Sequence, residues 1–169
     1  MTIIRWGLLS TANINRRLIP AIRASKRGEL VAVASRTQNS ADVYAKEWEI
    51  PSAFGSYQEM LESGAVDAVY ISLPNHLHSE WTIKALNAGV HVLCEKPFAL
   101  TVSEVDQMIE AAKTNDRVLA EAFMYRHHPQ TKITGEWVHS GRLGEITLIQ
   151  STFNFHIDRR EGNIRLNPE

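Results

Sequence analysis

The segment from Val90 to Pro97 places an acid and a lysine at the end of a predicted strand. It reads Val-His-Val-Leu-Cys-Glu-Lys-Pro. Nucleotide-binding sheets bind ligands beyond the carboxyl ends of their strands, and proline cannot continue a strand's hydrogen bonding. Pro97 therefore ends this strand and leaves Glu95 and Lys96 at the sheet edge, where Lys96 is the first candidate for catalysis. The alternative is a solvated Glu-Lys pair at an ordinary strand end.

A second candidate region is the turn that follows the first predicted strand. Dinucleotide folds carry small residues there, so that backbone N–H groups can approach a pyrophosphate. The full Gly-x-Gly-x-x-Gly pattern is missing, because Ser10, Ala12 and Asn15 occupy the three glycine places. Ser10 and Thr11 can compensate by donating hydroxyl hydrogen bonds to phosphate oxygens. An ordinary strand-to-helix turn carries similar residues, so this motif alone leaves both interpretations open.

The end of the second predicted strand indicates which dinucleotide would bind. NAD-selective folds place an acid at this position for the ribose hydroxyls, whereas a 2′-phosphate favours arginine and hydroxyl groups. This chain has Arg36 between Ser35 and Thr37. Arginine can pair a phosphate in a bidentate manner and stack on adenine. The pattern favours NADP, with NAD still possible, and the alternative is an ordinary exposed arginine.

The third strand end also runs into proline and polar residues. Leu73 and Pro74 would line the nicotinamide ring, and Asn75 and His78 could meet the ribose and the amide. His78 together with His76 could instead suggest a metal. No cysteine or carboxylate pair lies at ligand spacing, so we predict no metal site. Either histidine could simply cap the following helix.

Composition excludes several classes of function. The chain has 169 residues, 18 basic and 19 acidic, with a net charge of −1 and no long run of one sign. This balance favours neither nucleic acid nor an anionic membrane as a partner. Cys94 is the only cysteine, and no apolar run suits a signal core or a membrane span. We therefore expect a soluble, cytoplasmic protein.

Apolar segments alternate with amphipathic ones from Ile3 to Ala120, which is the rhythm of β-α units on a parallel sheet. Capping-box patterns at Ser56 to Glu59 and at Thr101 to Glu104 predict two helix starts. Gly89 predicts a helix end. The predicted strands are Ile3–Leu9, Leu30–Ser35, Val66–Leu73, Val90–Cys94 and Arg117–Ala120, and the predicted helices are Asn13–Ala24, Ala41–Trp48, Leu77–Asn87 and Val102–Lys113.

The pattern changes after Ala122, where a second domain is expected to begin. A helix is predicted over Lys132–His139, and Ile146–Ile157 alternates apolar and polar residues as an antiparallel strand does. A lone strand is unstable, and the tail that follows offers no partner for it. We therefore expect residues 1–122 to form one domain and residues 123–169 to begin another, with further chain or another copy supplying the missing strands.

Five segments carry a combined pattern in a fixed order along the chain: Trp6-Gly7-Leu8-Leu9-Ser10-Thr11-Ala12, Ser35-Arg36-Thr37, Leu73-Pro74-Asn75-His76-Leu77-His78, Glu95-Lys96-Pro97 and Glu121-Ala122-Phe123-Met124-Tyr125-Arg126. Together they closely resemble the Gfo/Idh/MocA oxidoreductase family, in its branch of dimeric dihydrodiol dehydrogenases and NADP-dependent xylose dehydrogenases. The resemblance implies an α/β fold with a Rossmann-type, doubly wound parallel sheet. The start of an α+β domain with a mostly antiparallel sheet would follow it.

The resemblance also assigns positions in this chain to parts of the cofactor. Ser35 and Arg36 would contact the adenosine end. Arg165 matches a cofactor-side arginine less securely. Ser10, Thr11, Ala12, Asn13 and Ile14 would surround the pyrophosphate, and Leu73, Asn75, His78, Glu95 and Lys96 would approach the nicotinamide.

The activity implied is hydride transfer between nicotinamide and a sugar, polyol or diol carbon. Lys96 would hydrogen-bond the reacting oxygen, and Glu95 would orient Lys96 or the cofactor ribose. A second catalytic group, a tyrosine or histidine near an aspartate, would be expected beyond Glu169. A homo-oligomer formed through the C-terminal sheet is also implied. The alternative is a regulatory protein that binds the dinucleotide on the same scaffold without turnover.

Overall fold

The computed structural model describes residues 2–154 and residue 156. Arg165 and the end of the predicted strand at Ile157 lie outside these residues. The chain divides into two compact units, Met1–Met124 and Tyr125–Glu169. All the strands of the described part lie in the first unit.

The first unit is built on one six-stranded sheet in which every paired neighbour is parallel. Its order is β3-β2-β1-β4-β5-β6, so the order reverses between β1 and β4. This is the Rossmann order, and ligands bind at such a reversal. The strands are β1 (Ile4–Leu9), β2 (Gly28–Ala34), β3 (Ser52–Phe54), β4 (Ala68–Ile71), β5 (His91–Cys94) and β6 (Leu119–Glu121).

Five helices connect these strands, and their ends follow local hydrogen-bonding signals. Thr101 and Glu104 form the predicted capping box. A helix also begins after Ser56 as predicted, but the Ser56 side chain makes no capping hydrogen bond, so only the capping box is wrong there. Gly89 has a φ of +78° and ends its helix as predicted. The helices are α1 (Asn15–Ala24), α2 (Gln38–Glu47), α3 (Tyr57–Glu62), α4 (His78–Asn87) and α5 (Val102–Thr114), with a 3₁₀ turn at Asn75–Leu77.

The core has two parts because successive strand residues point to opposite faces of the sheet. Leu9 packs with Met60 and Leu86 in one cluster, while Leu8 packs with Ile19 in the other. All five side chains are buried. Both faces being covered explains why the strand sequences are almost continuously apolar.

All five predicted strands and the four helices predicted between them are confirmed in the first unit. The short strand β3 was not predicted, and the helix α3 was indicated only by its supposed start signal. Helix α2 begins three residues before its predicted start, because the Thr37 side chain accepts a hydrogen bond from Ser40 N–H at 3.3 Å.

The second unit contains α6 (Pro129–His139), which begins before the predicted Lys132. Proline suits the first helical position, and the His128 ring caps it by accepting from Gln130 N–H at 3.2 Å. The strand predicted over residues 146–157 is wrong for its described residues, none of which is in a strand. No antiparallel strand pair occurs among the described residues.

Candidate functional site

The carboxyl ends of four strands bring most of the predicted site residues to one edge of the sheet. The residue after each strand donates its backbone N–H to a neighbouring strand. Ser10 donates to Ala34 O at 3.1 Å, and Ser72 donates to Leu9 O at 3.4 Å. Glu95 N–H donates in the same way to the last residue of β4, at 2.9 Å. Residues 10, 72 and 95 therefore lie in a row along the edge, at the reversal of strand order.

The turn after β1 is held by buried polar side chains. Asn15 is fully buried, and its Nδ2 donates to Ser10 O at 2.8 Å. Ser72 Oγ donates to Asn15 Oδ1 at 2.6 Å and lies 2.8 Å from Ser10 Oγ. Ser10 is itself buried and has a φ of +122°, in the region that favours glycine. The Ser10 hydroxyl is thus engaged inside the protein and does not extend into the crevice as predicted.

The residues after β2 have three different environments. Ser35 is buried, and its N–H donates to Phe54 O at 3.0 Å. Thr37 caps α2, so its hydroxyl is engaged with Ser40. Arg36 is exposed, and its guanidinium makes no hydrogen bond or ion pair within residues 2–154. Of the three, only Arg36 has a side chain free to bind an anion.

Arg36 also lies close enough to Tyr57 to act on it electrostatically. Burial raises the pKa of Tyr57, and the positive charge of Arg36 partly offsets this effect. Tyr57 packs edge-on against Trp81, with ring centroids 5.0 Å apart. The charge of Arg36 therefore lies beside an aromatic cluster that begins at α3.

The residues after β4 form the wall on the opposite side of the reversal. Leu73 is buried, whereas Pro74 and Asn75 are exposed. His78 is 1% exposed, and its ring nitrogens lie 2.7 Å from Pro97 O and 2.8 Å from Leu73 O. His78 therefore joins the turn after β5 to the loop after β4. Its ring is occupied within the protein, although the sequence suggested contact with the cofactor.

The Glu95-Lys96-Pro97 segment combines a buried acid with an exposed lysine. Glu95 Oε1 accepts from the Tyr70 hydroxyl, and Oε2 accepts from Lys96 N–H at 3.3 Å. Burial first, and then Glu95, raises the pKa of Tyr70 well above its ordinary value. Lys96 is exposed, and its amine has no hydrogen bond or ion pair to any described residue. It is the residue of this segment that can reach a substrate.

Tyr70 belongs to the site and was missed by the sequence reasoning. It lies within β4, whose residues are all buried, rather than at a strand end where the candidate residues were sought. A usable signal was present, because a buried tyrosine hydroxyl normally needs a hydrogen-bond partner. The only buried acid among the described residues, Glu95, is that partner.

Neighbouring features limit what other chemistry the first unit offers. Cys94 is fully buried, and burial raises the pKa of its thiol to about 12, so the thiolate nucleophile is disfavoured. Within the described residues, no group of three or more His, Cys, Asp or Glu side chains could hold a metal ion. No helix in the same part of the chain is both long and apolar enough to span a membrane.

A cavity of about 450 Å³ lies beside β6. It is lined in part by Glu121, the last residue of β6, and by none of the predicted site residues. Phe98, Ile109, Ala112 and Leu119 supply its apolar lining, and Lys113, Asp116 and Arg117 supply charged groups. The Arg117 guanidinium already binds within the protein, because its Nε donates a hydrogen bond to Gly89 O at 2.6 Å.

Comparison with known proteins identifies relatives of the chain. The model of an oxidoreductase family with an NAD-binding Rossmann fold matches residues 4–123. D-xylose 1-dehydrogenase (NADP(+)) 2 from Haloferax volcanii is 41% identical over 97% of this chain and 50% of its own length. Trans-1,2-dihydrobenzene-1,2-diol dehydrogenase from Danio rerio is 34% identical over 89% of this chain and 45% of its own.

A solved structure of an oxidoreductase also matches the chain. The 3-ketoreductase KijD10 from Actinomadura kijaniata, in complex with TDP-benzene and NADP, superposes with a TM-score of 0.76 at 35% identity. The match covers 83% of this chain and 44% of that one. The chain thus spans about half the length of the curated relatives it matches.

Proposed function

The chain belongs to the Gfo/Idh/MocA oxidoreductase family, and on that premise we propose that residues 1–122 bind NADP for hydride transfer to or from a sugar, polyol or diol carbon. The cofactor would lie across the carboxyl edge of the sheet. Its pyrophosphate would rest on the turn after β1, its 2′-phosphate on Arg36, and its nicotinamide beside Lys96. Asn75 would face the nicotinamide ribose.

The observation that carries this proposal is the row of strand ends at the sheet reversal, with exposed arginine and lysine side chains flanking it. Arg36 and Lys96 are both exposed and without ion-pair partners among the described residues. An unpaired guanidinium beside the ribose position suits a 2′-phosphate, which arginine binds in a bidentate manner. The relatives' names agree with this choice, since the xylose dehydrogenase is NADP-dependent by name and KijD10 was solved with NADP.

The chain's own residues would handle the proton of the reaction. Bound NADP would supply the hydride donor or acceptor. The Lys96 amine would hydrogen-bond the reacting oxygen and hold or release the proton at Nζ. Glu95 accepts the Lys96 backbone N–H, and Tyr70 and His78 hold Glu95 and Pro97 from β4 and α4. These contacts fix the backbone on both sides of the exposed amine.

The proposal extends to the protein beyond the dinucleotide-binding domain. We infer that residues 123–169 begin the domain that would contact a carbohydrate-like substrate, and that copies associate through that domain's sheet. Arg165 remains a predicted cofactor-side residue. A cytoplasmic location is proposed because Cys94 is a single buried thiol, which suits a reducing compartment.

A fluorescence titration of the chain with NADPH and NADH tests the cofactor. We expect tighter binding of NADPH, and expect Arg36→Ala to weaken it roughly 10- to 100-fold, the equivalent of a charge-assisted hydrogen bond. Binding of NADH should change by less than about threefold. Arg27→Ala is the matched control, because Arg27 is an exposed arginine at the opposite edge of the sheet, where its carbonyl pairs with Ile4. Failure of the unaltered chain to bind either dinucleotide would refute the proposal.

A further inference from the structure

We propose that Asn15 and Ser72 are positioning residues that hold the turn after β1 in the shape that receives the cofactor's pyrophosphate. Together with Ser10 they form a buried hydrogen-bonded group, called here the polar clasp. The inference rests on the proposed function, because it concerns how that cofactor is held. It adds two residues that are not among the predicted ligands.

The direction of each hydrogen bond in the polar clasp follows from the atoms present. Asn15 Oδ1 is a carbonyl oxygen and can only accept, so the single Ser72 hydroxyl proton points to it across 2.6 Å. The Ser10 hydroxyl proton must then point to Ser72, to Oγ at 2.8 Å or to the carbonyl at 3.2 Å. Asn15 Nδ2 closes the ring by donating to Ser10 O. Every member is therefore both donor and acceptor.

The polar clasp is sealed from solvent. Asn15 is fully buried, and Ser10 and Ser72 are each 8% exposed. Loss of one member would leave the others with buried polar atoms that water cannot reach. Such networks specify one arrangement only when every member is satisfied. The three side chains are thus expected to act as a unit.

The polar clasp also determines which N–H groups of the turn stay available. Ser10 Oγ accepts from Ala12 N–H at 3.2 Å and turns that donor inward. The N–H groups of Thr11, Asn13 and Ile14 have no acceptor in the described part of the chain. Free N–H groups at the start of a helix are the donors that phosphates bind. The turn lacks the usual glycines, and its buried side chains instead determine which N–H groups can bind the ligand. The Ala12 N–H is engaged by Ser10, and those of Thr11, Asn13 and Ile14 stay available.

Ser72 connects this turn to the other half of the site. It follows β4 and immediately precedes Leu73 and Pro74, which would line the nicotinamide. A shift of Ser72 would therefore move both the pyrophosphate turn and the nicotinamide wall. The adenosine end is held separately, by Arg36 after β2. Damage to the polar clasp should consequently spare ligands that use only the adenosine end.

Calorimetric titration with two ligands tests this distinction. The ligands are NADP⁺ and adenosine 2′-monophosphate, which keeps the 2′-phosphate and lacks both the pyrophosphate and the nicotinamide half. For Ser72→Ala and Asn15→Ala we expect NADP⁺ affinity to fall about tenfold or more, with affinity for the monophosphate changing by less than about threefold. Ser72→Thr keeps the hydroxyl and should bind NADP⁺ like the unaltered chain. Thr82→Val removes a buried hydroxyl outside the polar clasp and serves as the control.

The outcomes separate the inference from the proposed function. If the unaltered chain binds neither ligand, the proposed function fails. If it binds both and the alanine variants bind NADP⁺ equally well, or lose both ligands equally while remaining folded, the positioning role is wrong. Should the alanine variants not fold, amide exchange of the unaltered chain decides. Ala12 must then be protected without ligand, and NADP⁺ must add protection at Thr11, Asn13 and Ile14; exchange without this pattern overturns the inference.

Discussion

The ends of β1 and β5 lie at the same edge of one sheet but differ in which side chains are buried and which are exposed. After β1 the polar side chains turn inward, where Asn15 and Ser10 are buried and hydrogen-bonded to Ser72. After β5 the acid turns inward and the base outward, because Glu95 is buried and Lys96 is exposed. The end of β1 offers backbone N–H donors held by buried side chains, and the end of β5 offers one exposed charge on a hydrogen-bonded backbone.

Because of this difference, we expect substitutions at the two ends to affect different properties of the protein. A change after β1 disturbs shape and should appear as weaker cofactor binding. A change to the exposed group after β5 should affect the reaction and leave both binding and folding nearly intact. A change to the buried groups after β5 should appear as lost stability.

Lys96→Ala gives the largest expected effect and the sharpest contrast with β1. Turnover should fall about 10²- to 10⁴-fold, the usual contribution of a positioned proton-transfer group, and NADP affinity should stay within about threefold. The assay needs a longer polypeptide that also includes the region corresponding to the half of its relatives that this chain does not span. Lys113→Ala, an exposed lysine on α5, is the control. An unchanged rate in the Ala variant would show that the role assigned to Lys96 is wrong, whereas absence of turnover in the unaltered protein with NADP bound would favour the regulatory alternative.

Tyr70→Phe tests the buried side of the β5 end. The change removes the hydroxyl that donates to Glu95 and leaves a buried carboxylate oxygen without that donor. We expect the free energy of unfolding in urea to fall by about 1–3 kcal/mol. Tyr57→Phe, which removes the hydroxyl of another buried tyrosine, is the comparison. Equal stability of Tyr70→Phe and the unaltered chain would show that the Tyr70–Glu95 bond contributes nothing to the fold.

Within the first pH unit above 9, the pH dependence of stability gives the smallest effect. The folded protein raises the pKa of Cys94 to about 12, mainly through burial, from 9.0. Between these values the unfolded chain loses a proton that the folded chain keeps, so stability falls as pH rises. Cys94 should contribute at most about 1.4 kcal/mol per pH unit, starting near pH 9. Urea unfolding of Cys94→Ala should show a shallower decline, and an identical decline would contradict the assignment.

The sequence predicted the sheet well because both its faces are covered by helices. Strands such as Ala68–Ile71 are then apolar throughout and easily recognised. The three-residue strand Ser52–Phe54 lies at the edge of the sheet beside β2 and carries too few residues to show a pattern. The strand predicted over residues 146–157 depended on partners that the described chain does not supply.

The candidate site was predicted less completely, because side-chain direction does not follow from spacing. Arg36 and Lys96 are exposed at the predicted edge. Ser10, Thr37 and His78 lie at that edge too, but their polar atoms are engaged by other residues of the protein. Those partners come from distant parts of the chain or from helix capping, which a local motif does not reveal.

Amide NMR of the chain with and without NADP⁺ tests the central claim most directly, namely that the dinucleotide lies across the carboxyl edge of this sheet. The account predicts that the largest shifts occur at the amides after β1, β2 and β5, including Thr11, Arg36 and Lys96. Shifts confined to the cavity beside β6, at Arg117 and Leu119, or no shifts at saturating cofactor, would contradict it.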